Sequence, residues 1–214
     1  MIILKIVTRF ALLPSETFKM ANTLSISFSV LYFLLVAKWF CLKAMGIIHQ
    51  RFAHFALSFT MQTNTIICLF FLIKAAAGRT NPTLQRWAVN WGIFIAIIWF
   101  CALGGNEQTP AEKHLNWVLH YYTPGGILID WLWSDKVEWK SSMAYMTAPL
   151  SAFVGVFFVA RFLLGYHMYP FLVDVRNVFF ILMSYFTIEI ITFILNDFLF
   201  RRQMKKKLDV VHLE

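Results

Sequence analysis

Residues 115–131 read LNWVLHYYTPGGILIDW, and the fold turns on whether they cross a membrane. The stretch is apolar enough to enter lipid, yet it carries Asn116, His120, two Tyr, a Thr-Pro-Gly-Gly break and Asp130. Its surroundings argue for the membrane. The chain has 214 residues, 59% hydrophobic and only 14% charged, where a soluble domain carries about a quarter charged residues. Mean hydropathy is +0.65, and the apolar residues, 23 Phe and 8 Trp among them, lie in long runs throughout. This is the composition of a polytopic membrane protein without a separate soluble domain.

With 115–131 as the heart of a fourth span, the spans fall at 24–47, 52–77, 87–105, 114–133, 142–165 and 176–200. Each is near the ~20 residues that cross a hydrocarbon core. The expected fold is an all-α bundle of six transmembrane helices, one membrane domain over residues 1–214. The N-terminal MIILKIVTRFALLPSETFKM has a broken apolar run and no small-x-small site, unlike a cleavable signal. An interfacial helix before Pro14 fits it better. AAAGRTNPT (75–83) and GGNEQTPAEK (104–113) read as turns.

Six spans put both termini on one side. That side, basic tail 201–214 included, holds 13 of the 19 Lys and Arg, and the opposite loops hold only Arg51, Lys113 and Arg176. The bias places both termini in the cytoplasm. It also accounts for the net charge of +8 without a nucleic-acid partner. Removing one span would scramble the split. Cys41, Cys68 and Cys101 lie singly in apolar runs and read as small buried hydrophobes, not disulfides or ligands. The spacing of the six His offers no metal site, and paired haem ligation would need a second deep His. No metal or cofactor is expected.

Polar residues at membrane depth carry the functional signal, because each is costly unless paired or facing a cavity. In HFALSFTMQTNTI (54–66), Thr60, Thr63 and Asn64 fall at i, i+3 and i+4 and share a helix face. In the fourth span Asn116, His120 and Pro124 recur every four residues. Pro124 has no N–H for the His120 carbonyl and kinks the helix, and Gly125 and Gly126 weaken it further. Thr60 is nine residues beyond Arg51 and His120 six beyond His114, so at ~1.5 Å per residue they lie about 13 and 9 Å below the outer ends. A hydroxyl and an imidazole at one level are the minimal nucleophile–base pair. Interhelical hydrogen bonding and a kinked packing helix are the plainer accounts, and periodicity does not decide whether the two helices face each other.

Asp130 and Asp197, near the inner ends of their spans, suit pairing with Lys or Arg. Glu189 lies deeper, with Lys38 or Arg161 as its expected partner. Those three would also mark the polar path of a non-enzymatic carrier or lipid-binding protein. Tyr169, in GYHMYPFLVDV (165–175), stands where it would cap an outward-facing cavity.

Three segments together, SFTMQTN (58–64), LNWVLHYYTPGGILIDW (115–131) and MYPFL (168–172), resemble in order and approximate spacing the androgen-induced, FAR-17a-like membrane protein family. The motifs look closest to its short bacterial relatives. Animal members of that family are intramembrane threonine hydrolases of fatty acid esters of hydroxy fatty acids. The resemblance implies that Thr60, after Phe59, is the nucleophile. It implies that His120, closing Asn116-x-x-x-His120, is the base. Thr63, Asn64, Asn116, Tyr121, Pro124 and Tyr169 would be supporting or substrate-binding residues, and the partner a membrane lipid or acyl ester. Trp117 stands where the animal motif has its first His. Apart from the resemblance, the choice between Thr60 and Thr63 stays open.

Overall fold

The computed structural model describes residues 16–47, 58–103, 110–163, 165 and 175–211, and among them every regular element is helical. They form six rods: α1 (Glu16–Ala44), α2 (Phe59–Ala77), α3 (82–103), α4 (110–133), α5 (143–163) and α6 (Val175–Val211). Three of them contain a π-helical turn: Trp99–Leu103 ends α3, Val118–Tyr122 interrupts α4, and Val159–Leu163 ends α5. Four helices are long and apolar enough to cross a membrane: Phe59–Ala77, Pro82–Cys101, Met143–Leu163 and Arg176–Lys205. Among the described residues the chain is all-helical, and these four helices argue for a membrane protein.

Local chemistry sets the helix ends. Ser58 Oγ accepts from the Met61 N–H at 3.3 Å and caps α2. At its other end Gly78, at φ 66°, closes the helix with its N–H on the Lys74 carbonyl, a left-handed turn that glycine makes without strain. Asn81 Oδ1 then accepts from the Leu84 N–H at 3.0 Å, and Pro82 takes the first helical position. This cap starts α3 at 82 rather than the expected 87 and draws Gln85 and Arg86 into the buried interior. α4 likewise starts at Pro110 rather than 114. α6 continues beyond 200 to Val211, so most of the basic tail is helical. The expected interfacial helix before Pro14 lies outside the described residues.

The core has three apolar clusters. Leu35, Trp39 and Leu42 of α1 pack on Met61 of α2 and Leu115, Val118 and Leu119 of α4. Phe70 and Phe71 of α2, Ala88 and Val89 of α3 and Ile127 and Trp131 of α4 form the second. Phe59 joins α3 residues Trp91, Phe94 and Ile95 to Tyr185 and Ile188 of α6 in the third. Phe33, Phe100, Trp133, Phe179 and Ile194 instead point outward. An apolar outside around a partly polar inside suits a bundle solvated by lipid, where association rests on packing and interhelical hydrogen bonds.

α3 and α4 run antiparallel and touch closely. Gly92 makes this possible: a Cβ there would stand 3.1 Å from Ile127 Cγ2 and 3.5 Å from Pro124 Cα. Within α5, Pro149 deprives the Tyr145 carbonyl of its usual i+4 donor. The indole N–H of Trp87 on α3 bonds that carbonyl instead, at 2.8 Å. Cys41 and Cys101 correct the sequence reading. Both are exposed on outward helix faces, Cys68 alone of the three is buried, and no disulfide joins them.

Candidate functional site

Thr60, in the first turn of α2, meets His120, in the π turn of α4. Their Oγ1 and Nε2 atoms are 3.0 Å apart. The other ring nitrogen, Nδ1, lies 2.7 Å from the backbone carbonyl of Asn116, one turn back on α4. A carbonyl oxygen only accepts, so Nδ1 carries the proton. In the neutral ring Nε2 is then an acceptor, and the Thr60 hydroxyl donates to it. That is the protonation pattern a general base needs. Helical spacing delivers it: the i, i+4 relation of Asn116 and His120 brings the carbonyl under the ring.

The imidazole is enclosed, with His120 only 3% exposed. Trp99, which opens the π turn of α3, stacks on it with ring centroids 3.9 Å apart and planes 21° apart. Sequence reasoning missed Trp99 entirely. Nothing in periodicity distinguishes it from the many aromatics that face lipid.

Asn64 explains how the site tolerates Pro124. In the π turn the Thr123 N–H bonds the Val118 carbonyl, five residues back. The Leu119 carbonyl would take its donor from residue 124 at the same spacing, and proline has none. Asn64 Nδ2 on α2 fills that position at 3.1 Å, and it also donates to the Thr60 carbonyl at 2.8 Å. Asn64 therefore fastens the turn that holds Thr60 to the turn that holds His120. Its amide hydrogens are spent on two carbonyls, so it is a positioning group rather than an oxyanion donor. Asn116 contributes its backbone carbonyl to the ring.

The other expected site residues divide clearly. Thr63 is fully buried, and its hydroxyl meets no hydrogen-bond partner among the described residues. It is Thr60 that reaches His120. Tyr121 is half-buried, with its ring 6.4 Å from that of Trp117. Pro124 is buried against Gly92. Tyr169 lies outside the described residues.

A second polar cluster sits toward the opposite end of α3. Glu189 of α6 accepts from Arg86 Nε at 2.5 Å and from the Asn90 amide. Arg86 and Glu189 are each 1% exposed. Thr192 Oγ1 completes the cluster by donating to Asn90 Oδ1 at 2.5 Å. The partner of Glu189 is thus Arg86, not the expected Lys38 or Arg161. The α3 cap explains the difference, because it moves Arg86 from a loop into the helix interior. Lys74 and Asp130 form an ion pair between α2 and α4, and Arg201 pairs with Asp197 at 2.8 Å within α6.

Comparison of the chain with family models, with curated proteins and with solved structures returns no match.

Proposed function

We propose that the chain is an intramembrane hydrolase of lipid esters, with Thr60 as nucleophile and His120 as base. One observation carries the reading: a threonine hydroxyl 3.0 Å from an imidazole Nε2 whose Nδ1 is committed to the Asn116 carbonyl 2.7 Å away. Hydroxyl, base and the group that orients the base are the parts of an activated nucleophile.

The chemistry is read from those atoms. The Thr60 proton passes to Nε2 as Oγ1 bonds the ester carbonyl carbon. The tetrahedral oxyanion collapses, the bond to the alcohol oxygen breaks, and His120 returns the proton to the leaving alkoxide. Water then gives its proton to Nε2 and bonds the acyl carbon. Thr60 leaves with that proton, and a fatty acid is released. The reading includes six crossings with both termini cytoplasmic, supported by the distribution of Lys and Arg, which is still 11 to 3 with the buried Lys74 and Arg86 left out. This sets the Thr60–His120 pair in the outer half of the membrane, where a lipid substrate enters sideways.

A fluorophosphonate probe tests the assignment on the full chain in detergent micelles. The wild type labels at Thr60, Thr60→Ala does not, and Thr60→Ser does. His120→Gln lowers labelling and ester hydrolysis by about 10²–10⁴-fold, the range of a lost general base. Labelling that survives Thr60→Ala, or hydrolysis undiminished in His120→Gln, overturns the reading.

A further inference from the structure

α3 presents two residues to α4 along one stripe, Gly92 and, seven positions on, Trp99. They meet Pro124 and Ile127 in one case and His120 in the other. Seven residues are about two helical turns, and His120 and Ile127 are likewise seven apart on the antiparallel helix. The close approach at Gly92 therefore sets the helix separation at which an indole lies flat on the imidazole.

An imidazole ring has a weak preference about its last side-chain torsion, which is broad and roughly two-fold. A rotation of a few tens of degrees would tilt the ring, drawing Nδ1 away from the Asn116 carbonyl and Nε2 off Thr60. The bond to Asn116 fixes one edge of the ring. A stacked face at 3.9 Å fixes its plane. The same face attracts a cation through the ring quadrupole, so the imidazolium formed when Thr60 gives up its proton meets indole rather than hydrocarbon.

We infer that Trp99 is a positioning residue for His120. It holds the ring with Nδ1–H on the Asn116 carbonyl and Nε2 on Thr60, and it shields the imidazolium as that forms. The inference rests on the nucleophile–base reading of Thr60 and His120 for its catalytic consequence, but its geometric content is measurable without turnover.

Trp99→Phe keeps an aromatic face, and Trp99→Leu removes it. Full-length protein labelled with ¹⁵N only in histidine, with the His120 signals assigned through His120→Gln, reports the tautomer. Wild type and Trp99→Phe show the Nδ1–H form, while Trp99→Leu shows that form reduced at least about twofold, because the ring is freed to turn. In parallel, hydrolysis of a medium-chain p-nitrophenyl ester gives kcat and KM. Trp99→Leu lowers kcat by about tenfold or more with KM nearly unchanged, the mark of an interaction made in the transition state. Trp99→Phe stays close to wild type.

A Trp99→Leu protein with the wild-type tautomer overturns the inference, whatever its rate. So does a kcat loss as large in Trp99→Phe as in Trp99→Leu. If neither wild type nor variants hydrolyse the ester, the hydrolase reading fails, and the tautomer measurement alone decides the role of Trp99. Trp99→Met, which fills similar space without an aromatic face, replaces Trp99→Leu if that variant does not fold.

Discussion

The side-chain amide nitrogen of Asn64 lies 3.1 Å from the backbone carbonyl of Leu119 on the facing helix. That carbonyl is the one left without a backbone donor by Pro124. Asn64→Leu keeps the number of side-chain heavy atoms and removes the donor. The expected loss is about 1–3 kcal/mol, the cost of a buried polar group left unsatisfied, read as a lower melting temperature in micelles. Fluorophosphonate labelling of Thr60 falls with it, since the two site turns lose their cross-link. A variant with wild-type melting would show that the carbonyl finds another donor.

Close approach at Gly92 makes a graded prediction. Gly92→Ala places its Cβ 3.1 Å from the Cγ2 methyl of Ile127 and 3.5 Å from Pro124, and because a β-branched methyl yields little, a small loss of stability is expected. Gly92→Val adds two methyl groups to the same gap and destabilises by about 1–3 kcal/mol, as overpacked cores do. Combining it with Ile127→Ala recovers part of the loss. Thermal unfolding of the three variants checks the order, and absence of recovery in the double variant counts against Ile127 as the obstacle.

Arg86 and Glu189 predict strong non-additivity. Removing Arg86 alone strands a buried carboxylate, and Arg86→Met is expected to destabilise by about 3–5 kcal/mol. The double variant Arg86→Met/Glu189→Leu leaves neither charge behind and loses much less stability than the sum of the single losses. A double-mutant cycle in denaturant measures this coupling. Simple additivity would mean that the two groups do not depend on each other.

Lys136 ties stability to pH. Its ammonium bonds the Trp131 and Ser134 carbonyls in the connection after α4. Burial there holds its pKa below the usual lysine range. The carboxylates of Asp130 and Asp135 oppose that shift, and the Lys74 ammonium adds to it. Between the depressed folded pKa and the ordinary value of about 10.4, the unfolded chain holds more protons than the folded one, so stability rises with pH. The melting temperature of wild type should climb relative to Lys136→Met across the alkaline range and run parallel to it at mildly acid pH. Parallel curves at all pH values would show that the amine is not perturbed.

How much of this was legible in the sequence depends on whether a feature lies along one helix or joins two. Apolar runs announced the helices, and the spacing of Asn116, His120 and Pro124 placed a bend beside an imidazole. Depth counting brought Thr60 to its level. The capping pair Asn81-Pro82 was present in the turn, but its consequence, an α3 long enough to bury Arg86, was not drawn from it. Partners across helices could not be counted along the chain at all. Trp99 on His120, Asn64 on the Leu119 carbonyl and Arg86 on Glu189 depend on helix rotation, which small features such as Gly92 and the π turns decide. Pro124 was expected to free the His120 carbonyl, whereas the carbonyl that Asn64 reaches is Leu119's. The π turn shifts the pairing by one residue, and no α-helical count contains that shift.

The π turn at Val118–Tyr122 makes α4 a helix of two phases. Inserting one residue rotates the C-terminal half by about 100° relative to an unbroken helix. The Leu115 half of α4 is thereby aimed at α1 and α2, and the Ile127 and Asp130 half at α3 and Lys74. Each half satisfies its own neighbours without dictating the angle of the other. A single-residue deletion between 118 and 122 would regularise the helix and bring the two halves into one phase. A gain in local helical order would then arrive together with the dismantling of the bundle. The irregular turn, rather than either straight half, is what allows one helix to serve two differently oriented sets of partners.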